Sequence, residues 1–215
     1  MPARKLYFEA IHVGDELPAL AKAPVDRVQL VRYAGASGDF NPVHVDDVYA
    51  RQVGLPSVYA PGMLVMGFLA QLVSDWARGA QLRQYSVRFI KMIWPGDTVV
   101  CKGRVTDRFG ETGRYFAEIE LWAENQKGEL VLKGHSQVQV FYSLEDENRQ
   151  RAGQTPIIMN VPRQSLIHPP PPPPPVSEEL PHAHHHPHAT AGEHEEEAKK
   201  ARASHRAKPV AKKKH

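Results

Sequence analysis

The apolar residues in the first part of the chain recur at helical spacing. Leu30, Tyr33 and Ala34 fall on one stripe of a predicted helix. Asp26 is placed to cap the start of this helix, and Gly38 can end it because glycine readily adopts a positive φ. The pattern therefore predicts a helix that leads directly into the residues after Gly38.

Two further helices are predicted before residue 80. Asp46 or Asp47 can cap a brief helix that ends near Gly54. Pro61 suits the first turn of a longer helix, from Gly62 to Ala77, which is apolar on nearly all sides. At about 16 residues with a rise of about 1.5 Å each, this helix is short for a membrane span. We expect it to pack at the centre of a soluble domain.

From Gln81 onward the apolar period changes from helical to alternating, which is typical of β-strands. Tyr85, Val87 and Phe89 lie on one face of the first strand, and a last strand runs from Gly134 to Tyr142. Helices early and long antiparallel strands late predict an α+β domain, in which one curved antiparallel sheet surrounds a single buried helix. A middle strand alternates at Tyr115, Ala117, Ile119 and Leu121, and turns are marked at Pro95–Asp97, Gly110–Gly113 and Asn125–Gly128.

The composition of the chain changes sharply after residue 143. Of the 12 histidines only three precede residue 144, a proline run spans Pro169–Pro175, and eight Lys or Arg with no acid lie between Lys199 and the end. Such segments lack the apolar residues needed to offset the entropy of ordering. We therefore predict a folded domain at 1–143, an edge-covering extension at 144–167 and a disordered tail at 168–215.

Charge, histidines and cysteine limit the classes of partner and compartment. The net charge is only +3, but the basic end of the tail can attract nucleic acid or another polyanion nonspecifically. The histidines between His182 and His188 are better explained as a solvated run than as a metal site, since no scaffold fixes their spacing.

Cys101 is the single cysteine, which excludes an internal disulfide framework. Because no apolar run is long enough to span a membrane, the sequence predicts a soluble, cytoplasmic protein.

The candidate chemistry lies in the stretch Ser37–His44, which places a carboxylate and an imidazole in a segment that cannot stay helical. Gly38 ends the preceding helix and Pro42 disfavours the helical conformation just before it, so Asp39 and His44 lie on a turn. A carboxylate and a neutral imidazole that converge on one small molecule, such as water, can take and return protons near pH 7. The same residue types are common in ordinary surface turns, so the spacing alone leaves both interpretations open.

The longer stretch Tyr33–His44 resembles the signature of the MaoC-like, (R)-specific enoyl-CoA hydratases. The resemblance implies a single hot-dog domain over roughly Lys5 to Tyr142. It also implies reversible hydration of trans-2-enoyl thioesters, or dehydration of 3-hydroxyacyl thioesters, carried on coenzyme A or acyl carrier protein. In that reaction Asp39 and His44 are the catalytic residues that hold one water, and no metal or redox cofactor takes part.

The start of the central helix is the second candidate element of the site. The backbone amide of Gly62 lacks an intrahelical acceptor and lies at the positive end of the helix dipole, so it can form an oxyanion hole. Where many family members have His-Gly, this chain has Pro61-Gly62, which bears on the substrate class rather than on the reaction. The residues expected to support the turn are Ser37, Gly38, Asn41 and Pro42.

Two other functions compete with the hydratase interpretation. A hot-dog acyl thioesterase would direct water to the thioester carbonyl, whereas the spacing of Asp39 and His44 favours the hydratase. A noncatalytic subunit that binds acyl thioesters, or a scaffold recruited through its basic tail, would not need both residues. The resemblance also implies a homodimer, or a heterodimer with a related hot-dog subunit.

Overall fold

The structure is a computed structural model, and it describes residues 5–166. The predicted disordered tail at 168–215, with its histidine run and its basic end, lies outside the described residues. Within the described part, no helix has both the length and the apolar character needed to cross a membrane.

The described residues form four helices and six strands, together with two short 3-10 turns at Phe8–Ala10 and Pro42–His44. The helices are α1 (Arg27–Ser37), α2 (Asp47–Gln52), α3 (Gly62–Trp76) and α4 (Leu144–Arg151). The strands are β1 (Leu20–Ala21), β2 (Gln81–Phe89), β3 (Val99–Glu111), β4 (Arg114–Asn125), β5 (Leu130–Val140) and β6 (Val161–Ser165).

The strands form one antiparallel sheet in the order β1-β3-β4-β5-β2, and β6 pairs with β3 as well. Alternate residues of β4 are fully buried against α3 and its surroundings, because successive side chains of a strand point to opposite faces. The sequence-based prediction of an α+β hot-dog domain is confirmed. All four residues predicted to alternate on β4, Tyr115, Ala117, Ile119 and Leu121, are buried, and Ala123 continues the pattern.

Helix α1 begins and ends at the predicted residues. The side chain of Asp26 accepts a hydrogen bond from the Gln29 amide at 2.7 Å, which satisfies one of the unpaired amides of the first turn. Gly38 has φ of 74°, and its amide donates to the Ala34 carbonyl at 2.9 Å. A residue with a side chain would be strained there, so glycine places the end of α1 at a defined point before Asp39.

The sheet buries one face of α3. Leu64, Val65 and Leu69 are among its buried residues, whereas Met63 on the opposite face is 57% exposed. Strand β2 lies at an edge of the sheet, where Leu82 is 52% exposed. The described residues therefore leave apolar surface uncovered on α3 and along one edge of the sheet.

The segment after residue 143 contains two elements that the apolar pattern does not indicate, α4 and β6. Ser143 caps α4 by accepting a hydrogen bond from the Asp146 amide at 3.2 Å. The buried Asp146 carboxylate accepts from the Tyr142 and Ile157 amides at 3.0 and 2.8 Å. Strand β6 then pairs with β3, so Val161–Ser165 adds a strand beside β3.

Candidate active site

The turn between α1 and α2 is held by hydrogen bonds among its own residues. Ser37 Oγ accepts from the Asp39 amide at 3.2 Å, and Asp39 Oδ1 accepts from the Asn41 amide at 3.3 Å. Asn41 Oδ1 in turn accepts from the Val43 amide at 3.3 Å, which caps the 3-10 turn that begins at Pro42. The structure thus places three of the residues expected to support the turn, Ser37, Asn41 and Pro42, in the local bonding that shapes it.

Hydrogen bonds and an ion pair connect this turn to the neighbouring helices. Asp46 caps α2, accepting from the Val48 amide at 2.8 Å. Asp47 pairs instead with Arg27 of α1, with 2.6 Å between Oδ2 and Nη1, and it accepts a hydrogen bond from Ser57 Oγ at 3.1 Å. The hydrogen bond from Arg27 lowers the pKa of the Asp47 carboxyl. The two helices that flank the turn are therefore linked to each other and to the segment that precedes α3.

The structure brings Asp39 and His44 together, with 3.8 Å between Asp39 Oδ2 and His44 Nε2. The imidazole is buried, with 8% of its side chain exposed, whereas the Asp39 side chain is 45% exposed. A second pair in the chain, His12 and Asp15, has a similar separation of 3.7 Å, but its side chains are 70% and 41% exposed. Burial of the imidazole, more than distance, distinguishes the pair at Asp39 and His44.

The orientation of the His44 ring determines which of its nitrogens carries hydrogen. His44 Nδ1 lies 2.8 Å from the Tyr59 carbonyl oxygen. Because a carbonyl can only accept, Nδ1 carries the hydrogen, and in the neutral imidazole Nε2 then presents a lone pair toward Asp39. The carboxylate is also an acceptor, so a neutral imidazole and this carboxylate cannot hydrogen-bond to each other directly. Their 3.8 Å separation fits a molecule with two donor hydrogens between them, since each would lie about 2.8 Å away.

Tyr59 borders this pair and was not predicted from the sequence. Its ring lies edge-on to the His44 imidazole, with 4.7 Å between centroids and an interplanar angle of 73°. On its other side it contacts Trp94, with centroids 6.0 Å apart. Burial raises the pKa of the Tyr59 hydroxyl, and the negative charge of Asp39 raises it further. No local pattern marks Tyr59, because it meets His44 across 15 residues of chain.

The first turn of α3 begins three residues after Tyr59. Gly62 is its first residue, so its amide has no intrahelical acceptor and lies at the positive end of the helix. The ring of Phe89 lies against this glycine: a Cβ added at Gly62 would be 2.9 Å from Phe89 Cε1. A close approach of the ring therefore requires glycine at this position. Phe89, which is 48% exposed, is thus a second unpredicted residue in contact with a candidate site residue, and its sequence pattern indicates only a strand.

Residues 10–120, just over half of the chain, match the family described as the MaoC like domain. The chain belongs to this family, and the resemblance found in its sequence is confirmed. The family match includes Asp39, His44, Gly62 and Phe89.

The chain is also similar in sequence to individual curated proteins. The chain is 36% identical over 76 residues to the 3-hydroxyacyl-thioester dehydratase X of Mycobacterium tuberculosis, covering 35% of this chain and 26% of that protein. It is 31% identical over 124 residues to the fatty acid synthase beta subunit hexB of Dothistroma septosporum, covering 56% of this chain and 6% of that protein. The chain thus spans only a small part of the length of these curated relatives.

Solved structures share the fold. The (R)-hydratase from A. caviae involved in PHA biosynthesis superposes with a TM-score of 0.56 at 23% identity, covering 61% of this chain and 98% of that one. This likeness supports the same arrangement of sheet and central helix.

Proposed function

We propose that the protein is a hydro-lyase that catalyses reversible syn hydration of trans-2-enoyl thioesters to (R)-3-hydroxyacyl thioesters, or the reverse dehydration. The observation that carries this proposal is the 3.8 Å gap between Asp39 Oδ2 and His44 Nε2, two acceptors that face each other. Water is the smallest molecule that can donate to both. His44 also bonds to Tyr59, which lies three residues before the first turn of α3. Membership of the MaoC-like domain family supports the same class of reaction.

In hydration, Asp39 and His44 hold the water and receive a proton from it as its oxygen bonds to the β-carbon. One O–H bond breaks, a C–O bond forms at the β-carbon, and a proton from the pair forms a C–H bond at the α-carbon on the same face. The C=C double bond becomes a single bond, so the atoms of one water are added without oxidation or reduction. Positioned acid and base groups of this kind contribute roughly 10² to 10⁴ in rate.

Negative charge develops on the thioester oxygen while the α-carbon awaits its proton. The amide of Gly62 is a fixed donor for this oxygen, and the helix dipole of α3 favours the charge. One such donor contributes roughly 10² to 10³ in rate. Pro61 has no backbone N–H and no polar side chain, so the amide of Gly62 is the donor that this step requires.

The acyl group is carried on coenzyme A or acyl carrier protein, and the chain pairs with a second hot-dog subunit, as a homodimer or a heterodimer. The apolar surface left on α3 at Met63 and on the edge strand β2 at Leu82 supports a paired form. Met63 also begins the apolar stretch after Gly62, which favours contact with an acyl chain over contact with a polar substituent.

The test follows loss of the conjugated enoyl thioester when the full chain is added to crotonyl-CoA and longer trans-2-enoyl-CoAs. Asp39→Asn and His44→Ala are expected to lower kcat by roughly 10² to 10⁴. His12→Ala is the matched control, because His12 also lies close to an aspartate but is exposed. Hydration that survives both substitutions at the site would overturn the roles of Asp39 and His44, and release of free coenzyme A without hydration would identify a thioesterase.

A further inference from the structure

The hydroxyl of Tyr59 has no hydrogen-bond partner among residues 5–166, although the side chain is half-buried. Tyrosine hydroxyls that are withdrawn from solvent normally have a partner. Tyr85 and Tyr115 have one: Tyr85 donates to the Met66 carbonyl at 2.7 Å, and Tyr115 donates to the Ile157 carbonyl at 2.6 Å. The partly buried Tyr33 and Tyr142 resemble Tyr59 in having no hydroxyl partner among the described residues. The feature that sets the Tyr59 hydroxyl apart is its position beside His44, where a bound molecule can become its partner.

The position of the ring limits what that partner is. The ring is edge-on to His44 at 4.7 Å between centroids, and its hydroxyl lies in the field of the Asp39 carboxylate. Trp94 occupies the other side of the ring. A molecule held between Asp39 and His44 would lie beside the Tyr59 ring, which makes it a candidate partner for the hydroxyl.

The hydrogen bonds of a water in that gap are incomplete without a donor. Asp39 and the neutral Nε2 of His44 both accept, so together they receive the two hydrogens of the water. The water oxygen keeps two lone pairs, of which one attacks the β-carbon. Neither residue of the pair can donate to the other lone pair, but a neutral phenol can.

We propose that Tyr59 is a third catalytic residue, whose hydroxyl donates a hydrogen bond to the oxygen that is added to, or removed from, the β-carbon. In hydration this bond fixes the direction of the attacking lone pair. In dehydration it stabilises the negative charge that builds on the departing oxygen, and that oxygen leaves as water after it receives a proton from the Asp39–His44 pair. This inference rests on the proposed function and adds a donor to a site otherwise made of two acceptors.

Tyr59→Phe removes the hydroxyl and keeps the ring contacts with His44 and Trp94, so it separates chemistry from packing. We expect kcat for hydration of crotonyl-CoA to fall about five- to fifty-fold, the range for losing one hydrogen bond to a partly charged group. The melting temperature should stay close to that of the parent chain. Tyr49→Phe is the matched control, since Tyr49 lies on α2 outside the site, and its turnover should equal that of the parent.

Comparing the binding of two thioesters tests whether Tyr59 contacts the oxygen on the β-carbon. (R)-3-Hydroxybutyryl-CoA carries the β-oxygen and butyryl-CoA does not, and each is measured as an inhibitor of crotonyl-CoA hydration. Tyr59→Phe should weaken inhibition by the hydroxyacyl thioester several-fold and leave that by butyryl-CoA unchanged. A merely structural role of Tyr59 would change both constants alike.

The outcomes separate this inference from the proposed function. An active parent chain with inactive Asp39→Asn and His44→Ala variants, but with unchanged kcat in Tyr59→Phe, would overturn the role of Tyr59 alone. Equal weakening of both inhibitors would do the same. A parent chain with no hydration of any enoyl thioester would remove the proposed function and this inference together.

Discussion

Replacing Gly62 by alanine should damage the site through one defined contact. The added Cβ would meet the Phe89 ring at 2.9 Å to Cε1, a distance that Cβ atoms essentially never reach, and at 3.1 Å to both Cδ1 and Cζ. Either the ring or the first turn of α3 has to move. Overpacking of this kind costs about 1 to 3 kcal/mol.

The same substitution keeps the backbone amide of residue 62. Any loss of activity would therefore come from displacement of the first turn of α3 and not from the loss of a hydrogen-bond donor. We expect Gly62→Ala to lower the free energy of unfolding by about 1 to 2 kcal/mol after the small gain in helix propensity is set against the clash. We expect kcat for hydration to fall about ten- to a hundredfold, because a shifted donor loses much of its effect on the oxyanion.

The control and the rescue test the contact directly. Gly67 lies on the same helix with nothing within 4 Å of an added Cβ, so Gly67→Ala should be neutral or stabilising by about 0.5 to 1 kcal/mol. Phe89→Leu in the Gly62→Ala background should recover stability and turnover, with a coupling energy of about 1 to 2 kcal/mol in urea denaturation. If Gly62→Ala behaves like Gly67→Ala, or if shortening Phe89 gives no recovery, the contact has no role.

Three further predictions concern the rest of the domain. Hydrogen bonding from Lys5 lowers the pKa of the buried Glu147 to about 2, so this carboxylate stabilises the fold above its unfolded pKa of about 4.5, and that stabilisation should be lost between about pH 4.5 and 2. Thermal melts across this range should show a shallower decline for Glu147→Gln, and an unchanged pH profile would refute the assignment. Burial raises the pKa of the Cys101 thiol to about 12, so a thiol reagent should label the native chain at neutral pH only after denaturant is added, and rapid native labelling would contradict this. Truncation after residue 167 should leave turnover intact, whereas truncation after residue 143 should lower the melting temperature because it removes α4 and β6; equal stability of the two would show that these elements contribute nothing.

The elements that follow short-range rules were predictable. Helix α1 depends on Asp26 at its start and Gly38 at its end, and both act on residues within four positions of themselves. The alternation in β4 likewise needs only the two-residue period of a strand with one buried face.

The elements held by distant contacts were not predictable. Helix α4 has a strongly polar sequence, and its buried carboxylates need partners outside the helix as well as within it: Lys5 bonds to Glu147, and the Ile157 amide bonds to Asp146. Strand β6 is mostly exposed and pairs with β3, so its apolar pattern is weak. Apolar periodicity reports burial of side chains, and neither element depends mainly on it.

By itself, the sequence determined that a carboxylate and an imidazole would share a proline-containing turn, since Asp39 and His44 are separated by a few residues whose conformations are locally restricted. Only the tertiary structure decided how that pair is completed. The Tyr59 carbonyl selects the nitrogen of His44 that carries hydrogen, and the Phe89 ring packs on Gly62. These contacts join residues 15 and 27 positions apart in the chain, so no local pattern specifies them, and they form only when the chain folds.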